Sequence, residues 1–221
     1  MEHLADAVRV ADLLLDRLPG ELPGIAAQLR MSPRPRHGWE PNVYPADCRR
    51  AAGLLLVYPL DGQARIVLTQ RADLPDHGGQ VSLPGGEVEP DETFIDAALR
   101  EAHEEVSIEP RLVRVLGRLT PLHIPVSNFV LHPIVGMAHE RPPMRAADRE
   151  VARIIEPEIV ALADPSRQAV RVGTYSEPPP LIPYFDVEEL EVWGATAMVL
   201  AEFLAVLGAA PDPWHEIDQP E

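Results

Sequence analysis

From residue 100 to 105 the chain reads Arg-Glu-Ala-His-Glu-Glu, three carboxylates and a guanidinium within six positions. On a helix, Glu101 and Glu105 lie about 40° apart, one turn from each other, and Glu104 about 60° from Glu101. Carboxylates that close repel and add nothing to helix stability. A divalent cation removes the conflict: Mg²⁺ prefers carboxylate oxygens and water, and uses one or two carboxylates together with substrate phosphate. Arg100, four residues before Glu104, is placed to hold that residue in an ion pair, which leaves Glu101 and Glu105 as the metal pair. Glu92, at the start of the helix, is at an angle from which it can clamp Arg100. The alternative is a solvated charged face, ordinary for Glu and Arg in helices. The run Pro84-Gly85-Gly86 just upstream tells against it, because glycine backbone lets a phosphate or metal ion approach with no side chain in the way.

Positioning these groups requires a helix over 92–106, with Asp91 as its N-cap. Ile95, Ala98, Leu99, Ala102 and Val106 fall on one narrow face, which is expected to pack on a sheet. Upstream, Ala51–Tyr58 and Ala64–Arg71 flank the turn-like Pro59-Leu60-Asp61-Gly62, a strand–turn–strand signal. Apolar runs follow at 112–119, 129–137, 151–155 and 170–175, with a short helix over 156–163 and a last helix over 193–207. Leu4, Val8, Ala11, Leu14 and Leu15 recur at helical spacing near the start, and 31–46 reads as an extended connector. The expectation is an α/β fold, a mixed sheet packed between helices. Its parts are an N-terminal helix and connector (1–46), a main domain (47–208) and a polar tail (209–221).

Composition narrows the function. Apolar residues make up 46% of 221, enough for a sizeable core, and 19 basic residues stand against 35 acidic ones. A net charge of −16 argues against a nucleic-acid partner, whose phosphates would need basic side chains. A small phosphorylated substrate needs only a locally positive pocket or a bound ion. The single cysteine, Cys48, permits no intrachain disulfide and suits a reducing compartment. The first twenty residues make a poor signal peptide, and the most apolar tract, 195–210, is interrupted by Glu202, so neither a membrane span nor export is expected. A soluble, cytoplasmic chain is the expectation. Whether it pairs as a homodimer is left open.

The spacing of Gly86, Glu92, Arg100-Glu101, Glu104-Glu105 and the apolar Ile108 resembles the Nudix signature. Ala102 and Ser107 depart from it, where a larger aliphatic and a glycine are usual; neither carries metal chemistry. The resemblance implies an α/β/α sandwich with this helix on a mixed sheet, Mg²⁺ or Mn²⁺ as cofactor, and a small nucleotide substrate cut at its diphosphate. It implies Glu101 and Glu105 as metal ligands, the Gly85 or Gly86 carbonyl as a backbone ligand, and Glu104 as a further ligand or the general base, with Glu150 a second choice of base. A narrower resemblance, to coenzyme A pyrophosphatases, runs through Val67–Arg71, His77–Gly86, Ile124–Ser127, Pro133–Gly136 and Trp193–Ala197. Those enzymes release 3′,5′-ADP and 4′-phosphopantetheine. Here Ala72 and Leu83 replace a usual serine and phenylalanine, and an arginine common between Arg71 and His77 is missing. Arg71 is then the best substrate-side cation, at a strand end beside the glycines. His77 and His123 are lesser candidates for phosphate or ribose, and Tyr58, Phe129 and Tyr175 read as core.

Other classes fit less well. His103 has no histidine four residues away and there is no cysteine pair, which disfavours a zinc hydrolase. The sequence PGGEVEP is neither a dinucleotide-binding nor a P-loop motif. A non-catalytic nucleotide sensor would tolerate loss of the carboxylates, yet all are present. Pyrophosphatases of ADP-ribose, NADH or dinucleoside polyphosphates remain the alternative within the same chemistry.

Overall fold

The computed structural model describes residues 2–36, 38–72, 79–147, 149–174 and 177–215; His77 and Tyr175 lie outside them. The chain opens with helices α1 (Ala7–Arg17) and α2 (Gly24–Gln28). Strands β1 (Arg49–Leu60), β2 (Gln63–Ile66), β3 (Leu68–Arg71), β4 (Val81–Ser82) and β5 (Gly85–Glu87) lead into α3 (Phe94–Val106). Next come β6 (Arg114–Arg118), β7 (Leu122–Ile124), β8 (Phe129–Met137), β9 (Val151–Ile155) and α4 (Ile159–Leu162). The last elements are β10 (Gln168–Val172), β11 (Leu181–Val187), β12 (Leu190–Trp193) and α5 (Gly194–Val206).

Strand β1 explains the layering. Residues 52–58 are buried without alternation, and a strand apolar on both sides must be covered on both. Because side chains alternate along a strand, Ala52, Leu54, Leu56 and Tyr58 meet Ala97, Ala98, Ala102 and Val106 of α3. Leu55 and Val57 belong to the opposite core, with Leu14 of α1 and Leu200, Phe203 and Leu204 of α5. The result is an α/β/α sandwich. Its central sheet runs β2-β1-β8-β6, with β5 also on β1 and β7 also on β8. The β1–β8 pair is parallel and the other pairs are antiparallel, so the sheet is mixed. Two three-stranded sheets, β4-β3-β9 and β10-β11-β12, complete the strands.

Several expected boundaries shift. The run 64–71 is two strands rather than one: β2 pairs β1, whereas β3 leaves for β4 and β9. The N-cap of α3 is Thr93, whose hydroxyl oxygen accepts the Asp96 N–H at 3.1 Å; Asp91 sits earlier, in a turn with φ of 65°. The helix is also rotated from the expected face. Ile95 is 42% exposed, while Ala97 and Glu105 are buried. The glycines of β5 leave room on that side, so the helix turns its carboxylate edge toward the sheet. In α1, Val8 (64% exposed) faces out, and Ala7, Val10, Ala11 and Leu14 face in.

The interrupted apolar tract becomes α5, buried on nearly every side. Its Glu202 is fully buried and accepts hydrogen bonds from Gly24 N–H (3.2 Å), Gln28 Nε2 (2.9 Å), Thr120 N–H (3.1 Å) and Thr120 Oγ1 (2.6 Å). Four donors from α2 and the β6–β7 loop satisfy it in place of a cation. Among the described residues no helix is long and apolar enough to cross a membrane.

Candidate active site

The acidic edge of α3 lies over β5, which is in antiparallel register with the start of β1: Gly86 faces Ala52 and Gly85 faces Gly53. Glycine is required at both positions for different reasons. A Cβ on Gly85 would lie 2.4 Å from the Ala52 carbonyl oxygen and 2.6 Å from the Gly53 Cα, a backbone clash. A Cβ on Gly86 would lie 2.5 Å from the carboxylate of Glu101. The helix carboxylates therefore stand directly on glycine backbone.

Glu105 is 7% exposed, and its carboxylate accepts the Gly85 N–H at 3.3 Å. Burial pushes its pKa up to about 7; the neighbouring charges of Glu101 and Glu150 add to the rise, and the Gly85 N–H and Arg71 oppose it. Burial also raises Glu101, against the pull of Arg100, with Glu104 and Glu150 adding to the rise. Two carboxylates are thus held close together where neither is comfortable as an anion.

Arg100 organises the outer side of the site. Its Nε and Nη2 donate to the two oxygens of Glu92 at 2.9 and 3.1 Å, and Nη2 also donates to the Glu87 carbonyl at 3.1 Å. The clamp holds Glu92 below the usual carboxylate range, chiefly through the hydrogen bond from Arg100, and raises Arg100 in turn. With the guanidinium fixed there, Nη1 reaches Glu101 at 2.8 Å and Glu104 at 3.3 Å. Arg100 therefore bridges Glu101 and Glu104 while clamped by Glu92; the spacing in sequence points to Glu92 and Glu104 but not to Glu101. The Glu104 side chain is 55% exposed.

Sheet pairing brings in two residues from far along the chain. Arg71 ends β3 at an irregularity in the β3–β9 ladder; its Nε is buried with no hydrogen-bond partner among the described residues, and its charge acts on Glu105. Glu150, just before β9, accepts the Ala72 N–H on its carbonyl at 2.8 Å, and its charge acts on both Glu101 and Glu105. Other candidates lie elsewhere. His123 is buried on β7, and the Cys48 thiol donates to Asn128 at 3.1 Å. The Tyr58 hydroxyl donates to the Glu156 carboxylate from the core.

The donor chemistry suits a hard divalent cation. Among the described residues no three acidic, histidine or cysteine side chains gather at one point. Buried Glu105 and half-buried Glu101 remain beside bare backbone, and the charge of Arg71, whose Nε has no hydrogen-bond partner among the described residues, acts on Glu105. Mg²⁺ is commonly held in this way, with water and substrate phosphate completing its shell.

A model of the NUDIX domain matches residues 48–173, more than half of the chain. Proteins named "Uncharacterized Nudix hydrolase NudL" from Salmonella newport (strain SL254) and Salmonella enteritidis PT4 (strain P125109) are 37% identical over 175 residues, covering 74% of this chain and 85% of theirs. Among solved structures, a Nudix hydrolase from M. smegmatis, RenU, is 28% identical with a TM-score of 0.44, covering 52% of this chain and 74% of that one. A MutT/nudix family protein from Enterococcus faecalis is 16% identical with a TM-score of 0.48, covering 83% of this chain and 72% of that one. The chain belongs to the Nudix hydrolase family. It is an enzyme of nucleotide diphosphate derivatives, in a family that uses divalent metal ions.

Proposed function

We propose that this enzyme hydrolyses the diphosphate link of coenzyme A, or of its acyl or oxidised derivatives, to 3′,5′-ADP and 4′-phosphopantetheine. The observation that carries the catalytic half is the Glu101–Glu105 pair, set against the glycines of β5 with Glu105 buried and the charge of Arg71 acting on it. The substrate half is supported by the coenzyme A-type segments, which include β3 (Leu68–Arg71), the Gln80–Gly86 run through β4 and β5, and the Trp193–Ala197 opening of α5.

Glu101, Glu105 and a carbonyl of Gly85 or Gly86 would hold Mg²⁺ or Mn²⁺. Once bound, the ion offsets charge on the diphosphate oxygens and lowers the pKa of a coordinated water. Arg71 neutralises a phosphate oxygen from the β3 side. Arg100 acts through Glu101 and Glu104, fixing their rotamers rather than touching substrate. A carboxylate removes the proton from the attacking water as the P–O bond to the leaving phosphate breaks. Glu104, exposed at the mouth of the site, is our first choice for this base and Glu150 the second.

The test is a substrate panel with Mg²⁺ or Mn²⁺, read by chromatography of the two product halves. Coenzyme A or a derivative should be cleaved faster than ADP-ribose, NADH and diadenosine polyphosphates. A different best substrate overturns the coenzyme A assignment while leaving the metal pair standing.

A further inference from the structure

A cleft of about 550 Å³ opens where the connector crosses the first residues of the central sheet, lined by Tyr44, Cys48, Arg50, Pro121, Val130 and His132. Its floor follows from strand register. Arg50 pairs with Val130 and Ala52 with His132 between β1 and β8, and Arg118 of β6 pairs with Ile134 of β8. Paired residues share a sheet face, and so do residues two apart on one strand. Arg50, His132 and Arg118 therefore project on the face that α3 covers. There the Phe94 ring stacks on His132 with centroids 3.6 Å apart.

The charge at this end is unusual for the molecule. Among the described residues the guanidiniums of Arg50 and Arg118 have no carboxylate or hydrogen-bond partner. Their neighbour Arg49, by contrast, is paired with Glu87. Among the described residues no acidic side chain lines the cleft, in a chain whose net charge is −16. Both arginine charges bear on His132, which burial already keeps neutral. Arg50 lines the cleft itself, and Arg118, one strand further on the same face, acts on His132 at its floor; two such guanidiniums are suited to phosphate, which accepts several N–H donors at once.

The cleft is also within reach of the chemistry. Gly86 pairs with Ala52, and Ala52 with His132, so two strand spacings, about 10 Å, separate the glycine under Glu101 from the cleft floor. We infer that this cleft is a second anion site, in which Arg50 and Arg118 hold a phosphomonoester on the nucleoside end of the substrate while its diphosphate lies at Glu101 and Glu105. The inference rests on the coenzyme A reading, whose 3′-phosphate is such a group. It would supply the cation missing between Arg71 and His77.

The probe is adenosine 3′,5′-bisphosphate, titrated calorimetrically into the full chain with EDTA present, so that the metal pair does not contribute. Arg50→Gln and Arg118→Gln, both at exposed side chains, should each weaken binding by roughly tenfold to a hundredfold. Adenosine 5′-monophosphate should bind weakly and change little. With Mg²⁺, the wild type should show a lower KM for coenzyme A than for its 3′-dephospho form, and each variant should lose that preference. Unchanged affinity in both variants overturns the site. Loss of inorganic phosphate binding with the KM preference intact assigns the cleft to free phosphate and overturns the substrate role. Weaker bisphosphate binding in the variants, in an enzyme whose best substrate is not coenzyme A, upholds the site and locates the failure in the substrate reading.

Discussion

A methyl group on Gly86 would sit 2.5 Å from the carboxylate of Glu101, so the glycine is the floor on which that carboxylate rests. The two adjacent glycines should therefore fail differently. Gly86→Ala should fold, because the obstacle is the end of a side chain that can swing away, but should bind Mg²⁺ more weakly and lose turnover. Gly85→Ala meets backbone at 2.4 Å and should lower stability instead, by roughly 1–3 kcal/mol. Urea melts and metal titrations of both proteins separate the outcomes; a Gly86→Ala enzyme with normal Mg²⁺ affinity would sink the assignment of Glu101.

Glu105→Gln should reduce kcat by on the order of a hundredfold or more with an unchanged circular dichroism spectrum. The same change removes a buried charge, so the metal-free variant should melt no lower than the wild type. Mg²⁺ at about 100 times its Kd should stabilise the wild type by about 2.7 kcal/mol and the variant by much less. Equal metal-induced shifts in both proteins would remove Glu105 from the ligand set. Comparing Glu104→Gln with Glu150→Gln under the same conditions identifies the base, as the variant that loses more kcat and flattens the acid limb of the rate profile.

His132 offers a pH test away from the carboxylates. Burial, with Arg118 and Arg50 nearby, pushes its pKa from 6.5 down to about 4. The native imidazole is thus neutral where an unfolded one would take a proton. Its contribution to stability is present above pH 6.5 and is lost as the pH falls toward 4. Proton NMR should show this ring titrating near pH 4, and His132→Gln should flatten that part of the stability profile. A midpoint at 6 or above would contradict the half-buried, arginine-flanked setting.

Glu202→Ala should cost roughly 3 kcal/mol or more, because it strands the Thr120 and Gly24 N–H groups and leaves the Gln28 amide only its bond to the Thr120 carbonyl. Glu202→Gln keeps an acceptor oxygen and should cost less. Denaturant midpoints give the ranking; an alanine variant as stable as wild type would mean that water replaces the carboxylate.

How much of this could be read in advance depended on local signal. The acidic spacing on α3, the length of β8 and the end of β9 were all legible, because long apolar runs and fixed motif spacing leave few alternatives. The two- and three-residue strands β4 and β5 are too short to carry a periodicity, although β5 holds the glycines under the site. Asp91 and Thr93 are both good cap residues, and only backbone geometry decides between them at the start of α3. Ile95 looked like core and is exposed, because the helix is seated by what faces it, and what faces it is glycine. Arg71, Glu150 and the cleft arginines converge through strand register, which a linear spacing cannot display.

The cover that α1 and α5 give one side of the central sheet decides how this molecule can be cut down. Residues 48–173 carry the recognisable motif, yet Leu55 and Val57 are covered by helices from outside that stretch, α1 before it and α5 after it. A polypeptide trimmed to the recognisable stretch would present that greasy underside to water. It should clump or bind detergent, even though the acidic edge of α3, the glycines of β5 and Arg71 are all still there.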